Sequence, residues 1–179
     1  METFADYVLA EEDFDKKVEI VWYLQKKKNI FFDAGVVYKA MIARMFIETM
    51  DIDVDKNLVV TAALLYACKK VNNAQDLEKI KRYASDGAEF LATLGFSKKF
   101  CKICEEHNRY SGSTPRERES DILELADQFG AMLMDRPERQ AFPIEEALTL
   151  LEFRNLKGIN NIYLDRFKEF IDIAKEVVV

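Results

Sequence analysis

The sequence predicts an all-α protein, a single compact multi-helix bundle over residues 1–179, and three observations predict it. Apolar residues recur at three- and four-residue spacing almost throughout, the period of one helix face. The period-two alternation of a half-buried strand is absent. Only three prolines occur and none precedes Pro115, so helical periodicity runs on unbroken over most of the chain. Apolar residues make up 49% of the sequence, enough for one well-buried core in a domain of this size.

The first helix begins at about Phe4 or Asp13 and runs to Lys28, with Phe14, Val18, Val21, Trp22 and Leu24 spaced to face inward. A second covers about Ala34 to Met50 and carries Val37, Met41, Met45 and Phe46. Asp51–Asp55 reads as a loop whose last aspartate caps the next helix. That helix, about Lys56 to Lys70, is apolar on nearly all sides through Ala62–Leu65, the pattern of a central buried helix. The fourth spans about Ala74 to Leu94, either continuous or broken near Ser85–Gly87, and Gly95 ends it. Ser97 caps a helix to about Arg109, followed by a Ser111-Gly112-Ser113 loop. Thr114, Pro115 and Glu117 spell a helix start: N-cap, first-turn proline and capping-box glutamate. The helix they open presents Ile122, Leu125, Ala126, Phe129 and Leu133 and stops before Pro137. Pro143 opens another, ending near Leu156–Gly158, and Ile162 to Val177 forms the last.

Charge and composition narrow the function. A net charge of -6 disfavours general nucleic-acid binding, which needs surplus Lys and Arg to neutralise phosphates. The richest apolar run, Leu58 to Cys68, is too short to span a bilayer and is flanked by Lys56, Lys69 and Lys70. The first residues include Glu2, Asp6, Glu11 and Glu12 and lack the basic start of a signal peptide, so a cytoplasmic protein is expected. Cys68, Cys101 and Cys104 are odd in number and are expected to be reduced there. The basic clusters Lys26–Lys28, Lys69–Lys70 and Lys98–Lys99 are short and read as solvated helix ends.

Five segments, taken in order from about Ile30 to Phe170, carry a resemblance. They are Val37-Tyr38-Lys39-Ala40-Met41; Ala62-Ala63-Leu64-Leu65-Tyr66-Ala67-Cys68-Lys69-Lys70; Arg82-Tyr83-Ala84-Ser85-Asp86-Gly87-Ala88-Glu89-Phe90-Leu91; Glu106-His107-Asn108-Arg109-Tyr110-Ser111-Gly112; and Leu125-Ala126-Asp127-Gln128-Phe129-Gly130-Ala131 with Asp135-Arg136-Pro137-Glu138-Arg139. Together they resemble the HD phosphohydrolase superfamily, most closely its HD-GYP branch. The resemblance implies a helical fold that hydrolyses phosphate esters with metal-activated water.

It also implies where the metal ligands would be. The family's first histidine falls near Tyr38, its His-Asp pair on Tyr66 and Ala67, and its lysine survives as Lys70. Tyr83 stands at the His-Pro histidine. Glu106 replaces the first of a histidine pair and His107 keeps the second. The Gly-Tyr-Pro triplet is missing, the chain reading Ser113-Thr114-Pro115, while the metal-binding aspartate is retained as Asp127. Neutral tyrosine is a poor ligand, its phenol having a pKa near ~10, and alanine is none. With one histidine in the chain, the surviving donors are Glu106, His107 and Asp127, a set that would hold at most one divalent metal ion, with water completing it. The bland reading of His107 and Asp127 is a hydrogen-bonded pair left from an ancestral site.

Tyr38, Tyr66 and Tyr83 are expected to help fill the former metal cavity, or else to be ordinary helix-face residues. Cys101, Cys104 and His107 follow at three-residue spacing on one helix, where small buried apolar cysteines are favoured over a zinc site. Arg136 and Arg139 are candidates for anion binding, or for pairing with Glu138 and nearby acids. The expectation is a catalytically inactive HD-GYP-like domain, no cofactor, that binds an unidentified protein partner or a small nucleotide-like ligand. The alternative is a metal-dependent phosphohydrolase with a single-metal site. Neither nucleic acid nor membrane is expected as a partner. A homodimer would use exposed aromatics near Phe4, Tyr7, Phe31 and Phe32.

Overall fold

The computed structural model describes residues 1–71, 77–107, 116–155 and 161–177, and these form helices with no strand among them. In order they are α1 (Phe4–Ala10), α2 (Phe14–Lys28), α3 (Ala34–Thr49), α4 (Lys56–Leu65), α5 (Leu77–Thr93), α6 (Lys98–Glu105), α7 (Arg118–Met132), α8 (Ile144–Asn155) and α9 (Leu164–Val177). None of the described helices is long and apolar enough to cross a membrane.

Local chemistry sets most of the boundaries. Thr3 and Asp6 form a reciprocal capping box that starts α1. Asp13, Asp33, Asp55 and Ser97 each accept a hydrogen bond from a first-turn amide of α2, α3, α4 and α6. Of the two starts the sequence offered, Asp13 is the one that opens the helix to Lys28, and Phe4 begins a separate short helix that ends at Ala10. Asn29 ends α2 in the left-handed conformation at φ 51°. Helix α5 runs unbroken through Ser85–Gly87. Gly95 follows it with φ 94°, and a Cβ there would lie 2.5 Å from Thr3, so the start of α1 closes over a residue that must be glycine.

Helix α7 starts at Arg118, later than the motif around Thr114 implies, and Glu117 is its N-cap without a side-chain cap. Thr114, Pro115, the Ser111-Gly112-Ser113 loop, Ala74 and Leu156–Gly158 lie outside the described residues. Helix α6 ends at Glu105 rather than near Arg109.

The interior holds two apolar clusters. The first gathers Val8, Val21, Leu24, Val36, Phe100, Ile103 and the C-terminal half of α4. The second gathers Phe46 and Ile47 of α3 with Ile122 and Phe129 of α7 and Phe167 and Phe170 of α9. Helix α4 is buried all round from Val59 to Leu65, as its apolar sequence predicts. Phe46 sits edge-on to Phe167 at 5.1 Å, an arrangement aromatic quadrupoles favour. Trp22, spaced to face inward, is instead 52% exposed, because α2 buries a narrower stripe than its full apolar spacing allows; Met41 and Met45 of α3 are also exposed.

Helices α3 and α7 approach most closely at Gly130. A Cβ on Gly130 would lie 2.8 Å from Cγ of Lys39 and 3.2 Å from Cδ1 of Ile42. That contact brings the second turn of α3 against the last turn of α7, at the seam between the two clusters.

Candidate functional site

Side chains from five elements meet at this seam. Lys39 comes from the second turn of α3, Asp127 from the middle of α7, and Tyr66 from the C-cap of α4. Tyr83 comes from α5 and His107 from just beyond α6. The Lys39 ammonium lies 2.5 Å from Oδ1 of Asp127 and donates at 3.0 Å to the Tyr66 hydroxyl. Tyr66 in turn donates to the same Asp127 oxygen at 2.6 Å. Nε2 of His107 is 2.6 Å from the Tyr83 hydroxyl, and Nδ1 is 3.0 Å from the carbonyl of Cys104. The His107 ring lies 4.9 Å from that of Tyr66 and 5.4 Å from that of Tyr83.

The electrostatics follow from burial and charge partners. Burial would raise the Asp127 carboxyl, but Lys39, His107 and Tyr66 together outweigh it and hold it below the ordinary carboxylate range. Burial pushes the Tyr66 phenol well up, and the Asp127 charge pushes it further, so Tyr66 keeps its proton and donates. Tyr83 is raised for the same two reasons. Burial lowers His107 against the opposing pull of Asp127, which favours the neutral imidazole. The cluster is thus one ion pair wrapped in neutral aromatic donors and acceptors.

Glu106, His107 and Asp127 do not converge. The buried Glu106 carboxylate turns to the start of α7, where Oε2 accepts from the Glu117 amide at 3.0 Å and the Ser120 hydroxyl at 2.8 Å. Asp127 lies seven residues further along α7, about 10 Å at the helical rise. Among the described residues no three His, Cys, Asp or Glu side chains group as metal ligands. These side chains do not fit a divalent cation as arranged. The carboxylate that would ligate it is engaged by an ammonium, and the position after the α4 C-cap Tyr66 is Ala67. Glu106 instead ties the end of α6 to the start of α7 through the Glu117 amide and the Ser120 hydroxyl, a role invisible in sequence because donor and acceptor sit on different helices.

Of the three tyrosines, Tyr66 and Tyr83 meet at His107, whereas Tyr38 packs against the second apolar cluster and does not join them. Cys68 and Cys104 are buried and Cys101 is half-buried, all three with free thiols. Burial pushes the Cys68 thiol up to about 12.

Beside the ion pair opens a pocket of about 320 Å³, floored by Lys39 and Tyr66 and walled by Phe31, Lys70, Met134 and Arg136. Lys70 lies 5.3 Å over the Phe31 ring. Its ammonium is lowered by burial first and by the nearby charges of Lys39 and Arg136. Two aspartates also line the pocket, but each has a backbone task. Asp33 caps α3 through the Val36 amide, and Asp135 accepts from the Ala141 amide at 2.7 Å. Arg136 stays at the pocket. Arg139 does not: its guanidinium donates to the carbonyls of Ala131, Met132, Met134 and Gln140 and lies 4.6 Å from the Phe142 ring. It closes the C-terminus of α7 and is not an anion site.

Sequence reasoning missed Lys39, the residue on which the site turns. The available signal was a lysine inside the apolar stretch Val36–Ala43, in a helix whose other positions there are apolar or aromatic.

Comparison with known proteins finds no matching family model, no matching curated protein and no matching solved structure.

Proposed function

We propose that the chain is a catalytically inactive HD-GYP-like domain that senses a small, phosphate-bearing ligand in the pocket at the α3–α7 seam. The observation that carries the reading is the Lys39 ammonium on Asp127. A fixed protein cation takes the place on that carboxylate that a metal would need, which leaves the pocket without a metal-activated water. Binding chemistry remains. Lys70 feels the repulsion of Lys39 and Arg136 at one opening, partly offset by Asp33, so an anion seated between Lys70 and Arg136 relieves that repulsion. The aromatic wall of Phe31 offers a face for a planar group.

Thermal unfolding measured with inorganic phosphate, nucleoside phosphates and cyclic dinucleotides tests this. At least one phosphate compound is expected to raise the midpoint, because a ligand that binds only the folded state stabilises it. The rise is expected to vanish in Lys70→Glu/Arg136→Glu. No shift with any of these compounds overturns the reading. So does metal-dependent phosphodiester turnover that Asp127→Ala and His107→Ala abolish, which would instead establish the single-metal hydrolase.

A further inference from the structure

A second feature stands apart from the pocket, on the outer face of α2. Val21 and Leu24 turn inward with the buried Lys17, while Asp15, Glu19, Trp22, Tyr23 and Lys26 are all exposed. At one hundred degrees per residue, Asp15, Glu19, Trp22 and Lys26 fall on a single line along that outer face, with Tyr23 beside it. Trp22 is 52% and Tyr23 63% exposed, large aromatic surfaces at the middle of the helix, and among the described residues the Lys26 ammonium lies over the Trp22 ring at 5.4 Å. The stripe continues sideways into a groove of about 630 Å³ between α1 and α2, walled by Phe4, Tyr7, Ile20 and Tyr23, with Tyr7 62% exposed.

The charges along this face are split by position. The N-terminal half carries Asp15 and Glu19, preceded by Glu11 and Glu12; the C-terminal half ends in Lys26, Lys27 and Lys28. Lys16, on the margin over the groove, is the exception, and it is flanked there by Glu11 and Glu19. A helix that is acidic at one end, aromatic in the middle and basic at the other is complementary to itself when two copies run antiparallel. With a two-fold axis between Ile20 and Val21, Asp15 stands opposite Lys26 of the second copy and Glu19 opposite its Trp22. In this register Asp15 and Lys26 pair toward the two ends, while Trp22 and Glu19 of the two copies meet beside the axis, each indole packing along the aliphatic stem of the facing Glu19. A two-fold pairing of this kind uses the same patch on both chains.

We infer that the exposed face of α2 is a homodimer interface in which two copies of this chain pair antiparallel about Trp22 and Tyr23. Light scattering coupled to size-exclusion chromatography reads the mass directly. The full chain at tens of micromolar is expected to run at twice the chain mass, and Trp22→Glu/Tyr23→Glu at the single mass with unchanged helical circular dichroism.

Charge reversal gives the sharper test. Asp15→Lys/Glu19→Lys makes the whole face basic and Lys26→Glu/Lys27→Glu makes it acidic, so each is expected to be monomeric alone. Mixed in equal amounts, they are expected to form a one-to-one heterodimer that salt weakens. A monomeric full chain overturns the inference. So does a dimer that persists through the aromatic and charge-reversed variants, which would place the interface elsewhere. A mixture that stays monomeric overturns the antiparallel pairing.

Discussion

Among the described residues two lysine side chains are buried, Lys17 and Lys39, and their surroundings are opposites. At the α3–α7 seam, Lys39 meets the Asp127 carboxylate and the Tyr66 hydroxyl at the floor of an open pocket. Under α1, Lys17 donates to the Val8 carbonyl at 2.7 Å and to the Thr61 hydroxyl at 2.9 Å, and no carboxylate touches it. Burial lowers the Lys17 ammonium to about 8, against the weaker opposing pull of Glu11 and Asp55. The contrast separates two ways of burying a cation. At the seam the charges balance, and the cost appears only when one partner is removed. Under α1 the acceptors are neutral, so the fold carries the cost already and deprotonation relieves it. Lys17 repays that cost in connectivity, tying the end of α1 to α2 and α4.

The largest expected effect comes from breaking the balanced pair. Asp127→Asn leaves the Lys39 ammonium buried without a counter-charge and is expected to lower stability by about 3–5 kcal/mol, read from the denaturant midpoint. Lys39→Met/Asp127→Leu, which removes both charges, is expected to recover much of that loss. Equal losses in the single and double variants would show that the pair is not coupled.

The unbalanced lysine should behave differently, through pH. Its folded pKa lies below the 10.5 of an ordinary lysine, so between about 8 and 10.5 the unfolded chain binds more protons than the native one. Stability therefore rises with pH across that window, by on the order of 2 kcal/mol. Lys17→Met lacks this titration, so the wild-type chain is expected to gain on the variant from pH 8 to pH 10. Parallel profiles for the two proteins would mean that Lys17 is charged and unperturbed.

The smallest effect belongs to Glu106, which joins α6 to the start of α7 through the Glu117 amide and the Ser120 hydroxyl. Glu106→Ala is expected to cost about 1 kcal/mol, the usual net value of such hydrogen bonds, and to leave the phosphate-dependent thermal shift intact. A variant that loses ligand response while keeping its stability would return Glu106 to the binding site.

How much of this was legible in the sequence depended on range. The α-class, the Asp55 and Ser97 caps and the stop at Gly95 were all readable, because each rests on residues within a turn or two of one another. Lys17 left a faint trace: it stands in phase with Val21 and Leu24 on the inward face of α2. The inward assignment of Trp22 failed, since spacing shows that a face could be buried and not how wide the covering neighbour is. The site was legible only as positions. The resemblance marked Tyr66, Tyr83, His107 and Asp127, and the structure gathers these four, but it offered no role for Lys39 and sent Glu106 and Tyr38 to the wrong neighbours.

By itself the sequence determined the helical class, several helix caps such as Asp55 and Ser97, and that imidazole is too scarce for a histidine-rich metal centre. Only the tertiary structure decided that Lys39 lies on Asp127, 88 residues away, and that Tyr66 reaches the same oxygen across 61. Helix signals are exchanged over three or four residues, whereas the partner of a buried charge depends on which helices cross and at what angle. Here that crossing is permitted by the missing side chain of Gly130.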